Sequence, residues 1–127
     1  MHAKIDMIGL FVKDLPAMVR FYHSIIGIDI DWDGNGPYAE FKQDGVRFAM
    51  YERDKLPELL GKKPSYPAGL NGTFELSVNV GKPENVDKTF NRFIKGGAEA
   101  VYTPRNEPWN MRSAMIADPE GNLVEIA

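Results

Sequence analysis

Cysteine is missing from this chain of 127 residues, which excludes disulfides, thiolate nucleophiles and cysteine-ligated zinc. The lack of disulfides fits a reducing compartment. Histidine is scarce: His2, in the N-terminal tail, and His23, within an expected helix, are the only two, and neither falls on an expected core strand. No stretch approaches the roughly 20 consecutive apolar residues of a membrane helix. The apolar run after residue 7 is broken by Lys13 and Asp14, which is not the pattern of a signal peptide. Basic clusters are short, the longest being Lys62-Lys63, and the formal net charge is -3. Phosphate backbones need clustered Lys and Arg, so a nucleic-acid partner is not expected. Ser24, Ser65, Ser77 and Ser113 have no histidine at a nucleophile–base spacing, and no glycine-rich phosphate loop is present. What remains is a single-domain length with 43% apolar and 26% charged residues, ordinary for a globular protein. The expectation is a cytoplasmic protein with neither nucleic-acid nor membrane partners.

Residues 5–12 are apolar on both faces and read as a buried strand. Asp14 is a good N-cap with Pro16 in the first turn, and Met18, Phe21, Tyr22, Ile25 and Ile26 follow at helical spacing until Gly27. A short strand over 28–32 and a hairpin of 38–42 with 46–52 across Gln43-Asp44-Gly45 come next. One or two helical turns over 54–61 precede a Pro/Gly-rich linker. The pattern then restarts: a strand over 73–80, a helix opened by Pro83 and carrying Val86, Phe90, Phe93 and Ile94, a strand over 99–102, and a closing hairpin of 111–117 with 123–126. The order β-α-β-β-β therefore occurs twice, a repeat of roughly 70 residues. Two anchors relate the halves: Ile8, Leu10 and Val12 match Phe74, Leu76 and Val78, and Gly45 matches Gly121. One such unit leaves a sheet face bare. The fold expected is α+β: two βαβββ modules, over about 4–61 and 72–127 with a linker of about 62–71. Together they would form a curved mixed sheet around a cup, with helices on the outer face.

Three segments resemble the vicinal-oxygen-chelate superfamily, the glyoxalase and bleomycin-resistance relatives. They are KIDMIGLFVKDL from Lys4 with Phe21-Tyr22 and Gly27 after it, GTFELSV from Gly72, and ADPEGNLVEI from Ala117. The segment Pro108-Trp-Asn-Met-Arg112 is similar to the bleomycin-resistance-like branch. The resemblance covers essentially the whole chain and implies the fold above. It also implies a small-molecule ligand and a homodimer, but no one activity, since the family spans isomerases, lyases, transferases, dioxygenases and binding proteins.

Metal-dependent relatives place one His or Glu ligand on the first and last strands of each half. The matching positions here are Met7, Ala49 (Gly45 plus four), Thr73 and Glu125 (Gly121 plus four). Thioether sulfur suits hard or borderline ions poorly, Ala49 has no donor, and Thr73 is at best a weak neutral one. Only Glu125 is a proper ligand type, so no resident metal and no other cofactor is expected.

By strand alternation Met7, Ala49, Thr73 and Glu125 share the inner wall with Gly9, Phe11, Arg47, Tyr51, Glu75, Ser77 and Leu123. The expected ligand-binding set is Met7, Phe11, Arg47, Ala49, Tyr51, Thr73, Glu75, Trp109 and Glu125. Each has an ordinary reading beside the functional one. Glu125 is a ligand-orienting carboxylate or base, or a relic neutralised by Arg47 or bonded to Thr73. Glu75 points inward or lies at the rim. Arg47 forks onto a ligand oxyanion or pairs with Glu40 or Glu75. Tyr51 and Trp109 stack on a planar ligand, with Trp109 as a lid over the cup, or Trp109 packs at a subunit interface. His23 reads as a partly exposed helix residue. Three functions compete: metal-free small-molecule binding; glyoxalase-like lyase or isomerase chemistry through a reduced metal site or by Glu125 and Glu75; and a structural domain whose cup is filled by side chains such as Met7 and Phe11.

Overall fold

The computed structural model describes residues 1–127 and divides into two compact units, Met1–Tyr66 and Pro67–Ala127. In the first unit β1 (Met7–Val12) leads into α1 (Leu15–Arg20), which widens into a π-helical turn over Phe21–Ile26. The Asp14 carboxylate caps α1 by accepting the Ala17 N–H at 3.1 Å, and Pro16 sits in the first turn, where no N–H is needed. Gly27 stops the helix with φ 97°, a backbone angle that side chains with a Cβ rarely adopt. Then come β2 (Asp29–Ile30), β3 (Tyr38–Lys42), β4 (Arg47–Glu52), a 3-10 turn over Arg53–Lys55 and α2 (Leu56–Leu60). The sheet order is β1-β4-β3-β2, with β1 parallel to β4 and the other pairs antiparallel.

The second unit holds β5 (Asn71–Val78), α3 (Glu84–Lys95), β6 (Glu99–Glu107), β7 (Met111–Ala117) and β8 (Asn122–Ile126). Its sheet order is β5-β8-β7-β6, with β5 parallel to β8. Strand pairing stays within each unit, so the architecture is two four-stranded mixed sheets rather than one continuous sheet. Strand β6 runs through Pro104, well past the expected 99–102. It lies at the sheet edge, where a missing N–H costs no ladder bond, and its register shifts twice on the way.

One face of each sheet is covered by its helix. In the first unit Leu10, Val12, Ala39, Phe41, Phe48 and Met50 are buried with Leu15, Met18, Tyr22 and Ile26. Tyr22 meets the Phe48 ring edge-on at 5.3 Å, and Phe41 stacks on Phe48 at 5.1 Å. In the second unit Val86, Phe90 and Phe93, at i, i+4 and i+7, bury the apolar stripe of α3, as Ala114, Ile116, Val124 and Ile126 are buried on the strands. Acids at the start of α3 and bases at its end suit the helix dipole. No helix is long and apolar enough to cross a membrane.

Candidate functional site

The faces left bare by the helices carry the candidate residues, and each unit is described by itself. On the first, Met7, Gly9 and Phe11 of β1 lie beside Arg47, Ala49 and Tyr51 of β4, and Tyr38 and Glu40 of β3 lie across from Tyr51 and Ala49. Five of the expected residues are thus brought onto one face. Phe11 is 49% exposed and meets Tyr51 edge-on at 6.4 Å. Ala49, in the middle of this array, is only 1% exposed and has nothing to offer a ligand but its methyl group.

Arg47 does not present a free fork. Its Nε and Nη2 each donate to Glu40 at 2.9 Å, and its Nη1 donates to Asp6 at 3.2 Å. The Tyr38 hydroxyl donates to Glu40 at 2.7 Å. Arg47 therefore holds the Glu40 carboxyl down at about 2, with Tyr38 adding to the effect. Its hydrogen bond to Glu40, more than burial, raises the Tyr38 phenol above its ordinary value. The ion-pair reading of Arg47 holds for Glu40, with Asp6 as an added partner.

On the second unit Glu75 lies opposite Leu123 and Ser77 opposite Glu125. Ser77 Oγ donates to Glu125 Oε1 at 2.8 Å, so the hydroxyl that meets Glu125 belongs to Ser77 and not to Thr73. Thr73 is four residues up the strand from Ser77, or about 13 Å at the usual rise. Its N–H donates to Asn71 Oδ1 at 3.0 Å, which fixes the backbone there. Glu125 pairs on its other side with Met115 and shares the face with Leu123. Glu75 and Glu125 are diagonal neighbours on this face, their Cα atoms roughly 8 Å apart by strand spacing and rise.

These pairings correct the register between the halves. The turn glycines match Ala49 to Glu125; Ala49 lies beside Gly9 and Glu125 beside Ser77. Gly9 therefore corresponds to Ser77, Met7 to Glu75 and Val12 to Val80, two residues on from the match expected. The β5–β8 ladder indeed continues beyond Val78, since the Val80 N–H donates to Ala127 O at 2.9 Å. The position matching Met7 holds Glu75 rather than Thr73. A slide of two keeps the same face, so alternation alone cannot detect it.

With that correction the four positions hold Met7, Ala49, Glu75 and Glu125: a thioether, a methyl and two carboxylates. No three His, Cys, Asp or Glu side chains gather as a metal centre requires. The first unit contributes no nitrogen or oxygen donor at its two positions, and Glu40 is already gripped by Arg47. Neither unit by itself offers donors that fit a tightly held divalent ion. What the faces supply is carboxylate, hydroxyl, phenol and guanidinium chemistry against an apolar wall.

One group on the second face had no sequence signal strong enough to find it. Arg105, Glu107, Ser113 and Tyr102 form a connected cluster. Arg105 Nε donates to Glu107 Oε1 at 2.8 Å and Ser113 Oγ donates to the same oxygen at 2.9 Å. Ser113 thereby commits its one proton, so the Tyr102 hydroxyl is the donor in the 3.0 Å contact with Ser113 Oγ. The Arg105 guanidinium lies 3.7 Å from the Tyr102 ring centre. Arg105 and then Ser113 hold the Glu107 carboxyl below its ordinary value. Arg112 engages the opposite side of the sheet, forked onto Asp87 of α3 at 2.6 and 2.8 Å. Trp109 stands apart at the β6–β7 tip, its Nε1 donating to Met111 Sδ at 3.4 Å. A hollow of about 340 Å³ beside the closing turn, between Gly69 and Asp118–Gly121, is lined by the acids Glu99, Asp118 and Glu120 together with Leu70, Ala117 and Pro119. Asp118 there is engaged in the turn, accepting from the N–H groups of Glu120 and Asn122.

Comparison with known proteins agrees with this layout. The family model described as the Glyoxalase/Bleomycin resistance protein/Dioxygenase superfamily matches residues 4–126. The uncharacterized protein YraH of Bacillus subtilis is 30% identical over 126 residues, covering 97% of this chain and 96% of that one. A glyoxalase/bleomycin resistance protein/dioxygenase from Nocardioides is 26% identical with a TM-score of 0.83, covering 99% of this chain and 83% of its own. A lactoylglutathione lyase from Agrobacterium tumefaciens has a TM-score of 0.75 at 19% identity, over 98% of this chain and 92% of its own, and so shares the fold. Repeat, sheet order and sequence match converge: this chain belongs to the glyoxalase/bleomycin resistance protein/dioxygenase superfamily.

Proposed function

We propose that this chain binds a small molecule on its bare sheet faces without a resident metal ion, in the manner of the drug-sequestering relatives. The observation that carries the reading is the setting of Glu125. One carboxylate oxygen is held by Ser77 at 2.8 Å, which orients the group, while the other is left for a ligand. Leu123 and Met115 flank it with apolar surface. A few placed polar groups on an apolar wall are what a metabolite-sized ligand requires. Glu75 joins this face as a second carboxylate; the first unit's own bare face is apolar and aromatic, with Met7, Phe11 and Tyr51. Arg47 acts there as a tie for Glu40 rather than as a ligand fork. The homodimer implied by the resemblance belongs to the same proposal and is read by sedimentation.

The test is native mass spectrometry of freshly purified protein, with and without EDTA, beside elemental analysis. Bound small molecule retained through EDTA, and weakened about tenfold by Glu125→Gln, is the expected result; tenfold corresponds to about 1.4 kcal/mol. Stoichiometric zinc, nickel, manganese or iron would overturn it.

A second reading draws on the Glu75–Glu125 diagonal, two carboxylates on one face with no cation paired to either. Such a pair suits proton transfer at a bound substrate, in a lyase or isomerase. The lactoylglutathione lyase among the structural relatives suggests S-lactoylglutathione as the first probe. Turnover abolished by Glu75→Gln would establish this reading over simple binding.

A further inference from the structure

We propose that Arg105 is an oxyanion receptor, and that the molecule held on the second unit's bare face carries a carboxylate or phosphate. The proposal rests on the small-molecule reading above and names the chemical class of its ligand.

Three arginines make ion pairs on the sheets, and they differ in what they leave over. Arg47 engages Nε, Nη1 and Nη2. Arg112 does the same, with Nε and Nη2 on Asp87 and Nη1 on Asn106 at 3.1 Å. Arg105 engages Nε alone. Its two terminal nitrogens, whose parallel N–H groups match the two oxygens of a carboxylate or phosphate, have no partner. The side chain is 55% exposed, while that of Glu107, which holds it, is 9% exposed.

The guanidinium is also immobilised before any ligand arrives. Glu107 fixes Nε, the Tyr102 ring lies against the guanidinium plane, and buried Ser113 ties Glu107 and Tyr102 to each other. An arginine merely serving as a surface counter-ion needs no such frame. Fixing its rotamers in advance removes an ordering cost that binding would otherwise incur. The frame also sets direction. Arg105 lies opposite Ser113, and Ser113 is two residues from Met115, the neighbour of Glu125. Arg105 and Glu125 therefore share one side of the sheet, two strands and two residues apart, or about 12 Å between Cα atoms. Allowing for both long side chains, that span admits a compact molecule with an oxyanion at one end and a hydrogen-bond donor at the other.

The test uses benzoate and phenyl phosphate as probes and benzamide as their uncharged control, titrated by NMR with the arginine Nε–H signals observed. The full chain is expected to bind the two anions at least tenfold more tightly than benzamide and to shift the Arg105 signal. Arg105→Gln should abolish that preference and leave benzamide binding unchanged, which also shows that the variant is folded. Arg105→Lys, keeping the charge without the fork, should lose most of it. Tyr102→Leu, which removes the platform, should weaken anion binding severalfold. If all three probes bind the full chain equally, the oxyanion site fails and the small-molecule reading stands. If the anion preference survives Arg105→Gln, the site lies elsewhere and the proposal is overturned. If no probe binds and native mass spectrometry finds the protein ligand-free, both readings fall.

Discussion

On the first unit the bare sheet face carries an arginine whose every nitrogen is engaged, by Glu40 and Asp6, and an alanine where the last strand could have offered a donor. On the second, the equivalent last-strand position is Glu125 with one oxygen tied and one open, and the arginine, Arg105, has a free fork. Both units have the same strand order, the same parallel pairing of first strand with last and a glycine at the same turn. Their helix-covered faces obey one rule, apolar and close-packed, because each must bury its own core. The bare faces carry no such constraint, and there the halves diverge: one has closed its polar groups on each other, and the other has kept them available. A duplicated fold can thus hold its architecture while its copies come to bear different surfaces, aromatic and apolar on one and polar on the other.

The largest effect expected from probing this comparison lies at the matched glycines. Gly45 and Gly121 both have positive φ, 84° and 86°, so alanine is strained at either. At Gly45 a new Cβ meets nothing within 4 Å, whereas at Gly121 it would sit 2.0 Å from the Gly69 carbonyl oxygen. That close approach accompanies the hydrogen bond from the Asn71 N–H to Gly121 O at 2.7 Å, which starts the β5–β8 pairing. Gly45→Ala should cost roughly 1–2 kcal/mol, the penalty of the left-handed backbone. Gly121→Ala should cost about 3 kcal/mol or more, since backbone must move as well. Urea unfolding of both variants measures the difference. Equal losses would mean that the second unit's closing turn is no tighter than the first's.

Much of this was legible in the sequence, for reasons that can be named. Asp14, Pro16 and Gly27 bracket the first helix because each answers a definite backbone need at a helix end. Asp44-Gly45 and Asp118-Pro-Glu-Gly121 mark hairpins for the same kind of reason. Alternation assigned the faces, so Met7, Phe11, Arg47 and Tyr51 fall together as expected. What alternation could not supply was absolute register. Matching one apolar triplet to another tolerates a slide of two residues, and the β5–α3 connection hides the slide by being longer than Lys13-Asp14. Hence Thr73 stood where Glu75 belongs, and Ser77 was missed as the partner of Glu125. Arg105 escaped notice because Pro104 and Pro108 suggest a loop, whereas an edge strand accepts proline. Its importance lies in partners up to eight residues away, which only the β6–β7 pairing brings to it.

A smaller effect should separate the faces by acid. Glu40 is held down at about 2 from an ordinary 4.5, first by Arg47 and then by Tyr38. A carboxyl whose folded value is depressed adds stability above its unfolded value and loses it as pH falls through the folded one. The contribution from Glu40 is therefore complete above about pH 4.5 and should vanish towards pH 2. Asp87 and Glu107 in the second unit are lowered too, so the informative quantity is a difference between proteins. Glu40→Gln should flatten the fall in stability over that window relative to the unaltered chain. The Glu40 carboxyl carbon should titrate with a midpoint close to 2 by NMR. An ordinary midpoint would show that the Arg47 network is open in solution and that the first face is less closed than drawn.

The smallest effect is expected at Trp109, and its smallness is the informative part. The tip of the β3–β4 hairpin in the first unit, residues 43–46, is fastened by Gln43, whose Nε2 donates to Val46 O at 2.7 Å, and has no aromatic residue. The β6–β7 tip of the second unit carries an indole 66% exposed, held only through Met111. An indole so placed contributes little to folding, and Trp109→Ala should change unfolding free energy by no more than about 0.5 kcal/mol, as for other exposed positions. If the loss is instead near 2 kcal/mol and grows with protein concentration, the indole is buried in solution against a second copy of the chain. Its place in the comparison would then change from an exposed tip to a subunit contact. Stability measured at two concentrations tenfold apart separates the two, because association adds a term that rises with concentration and an isolated hairpin does not.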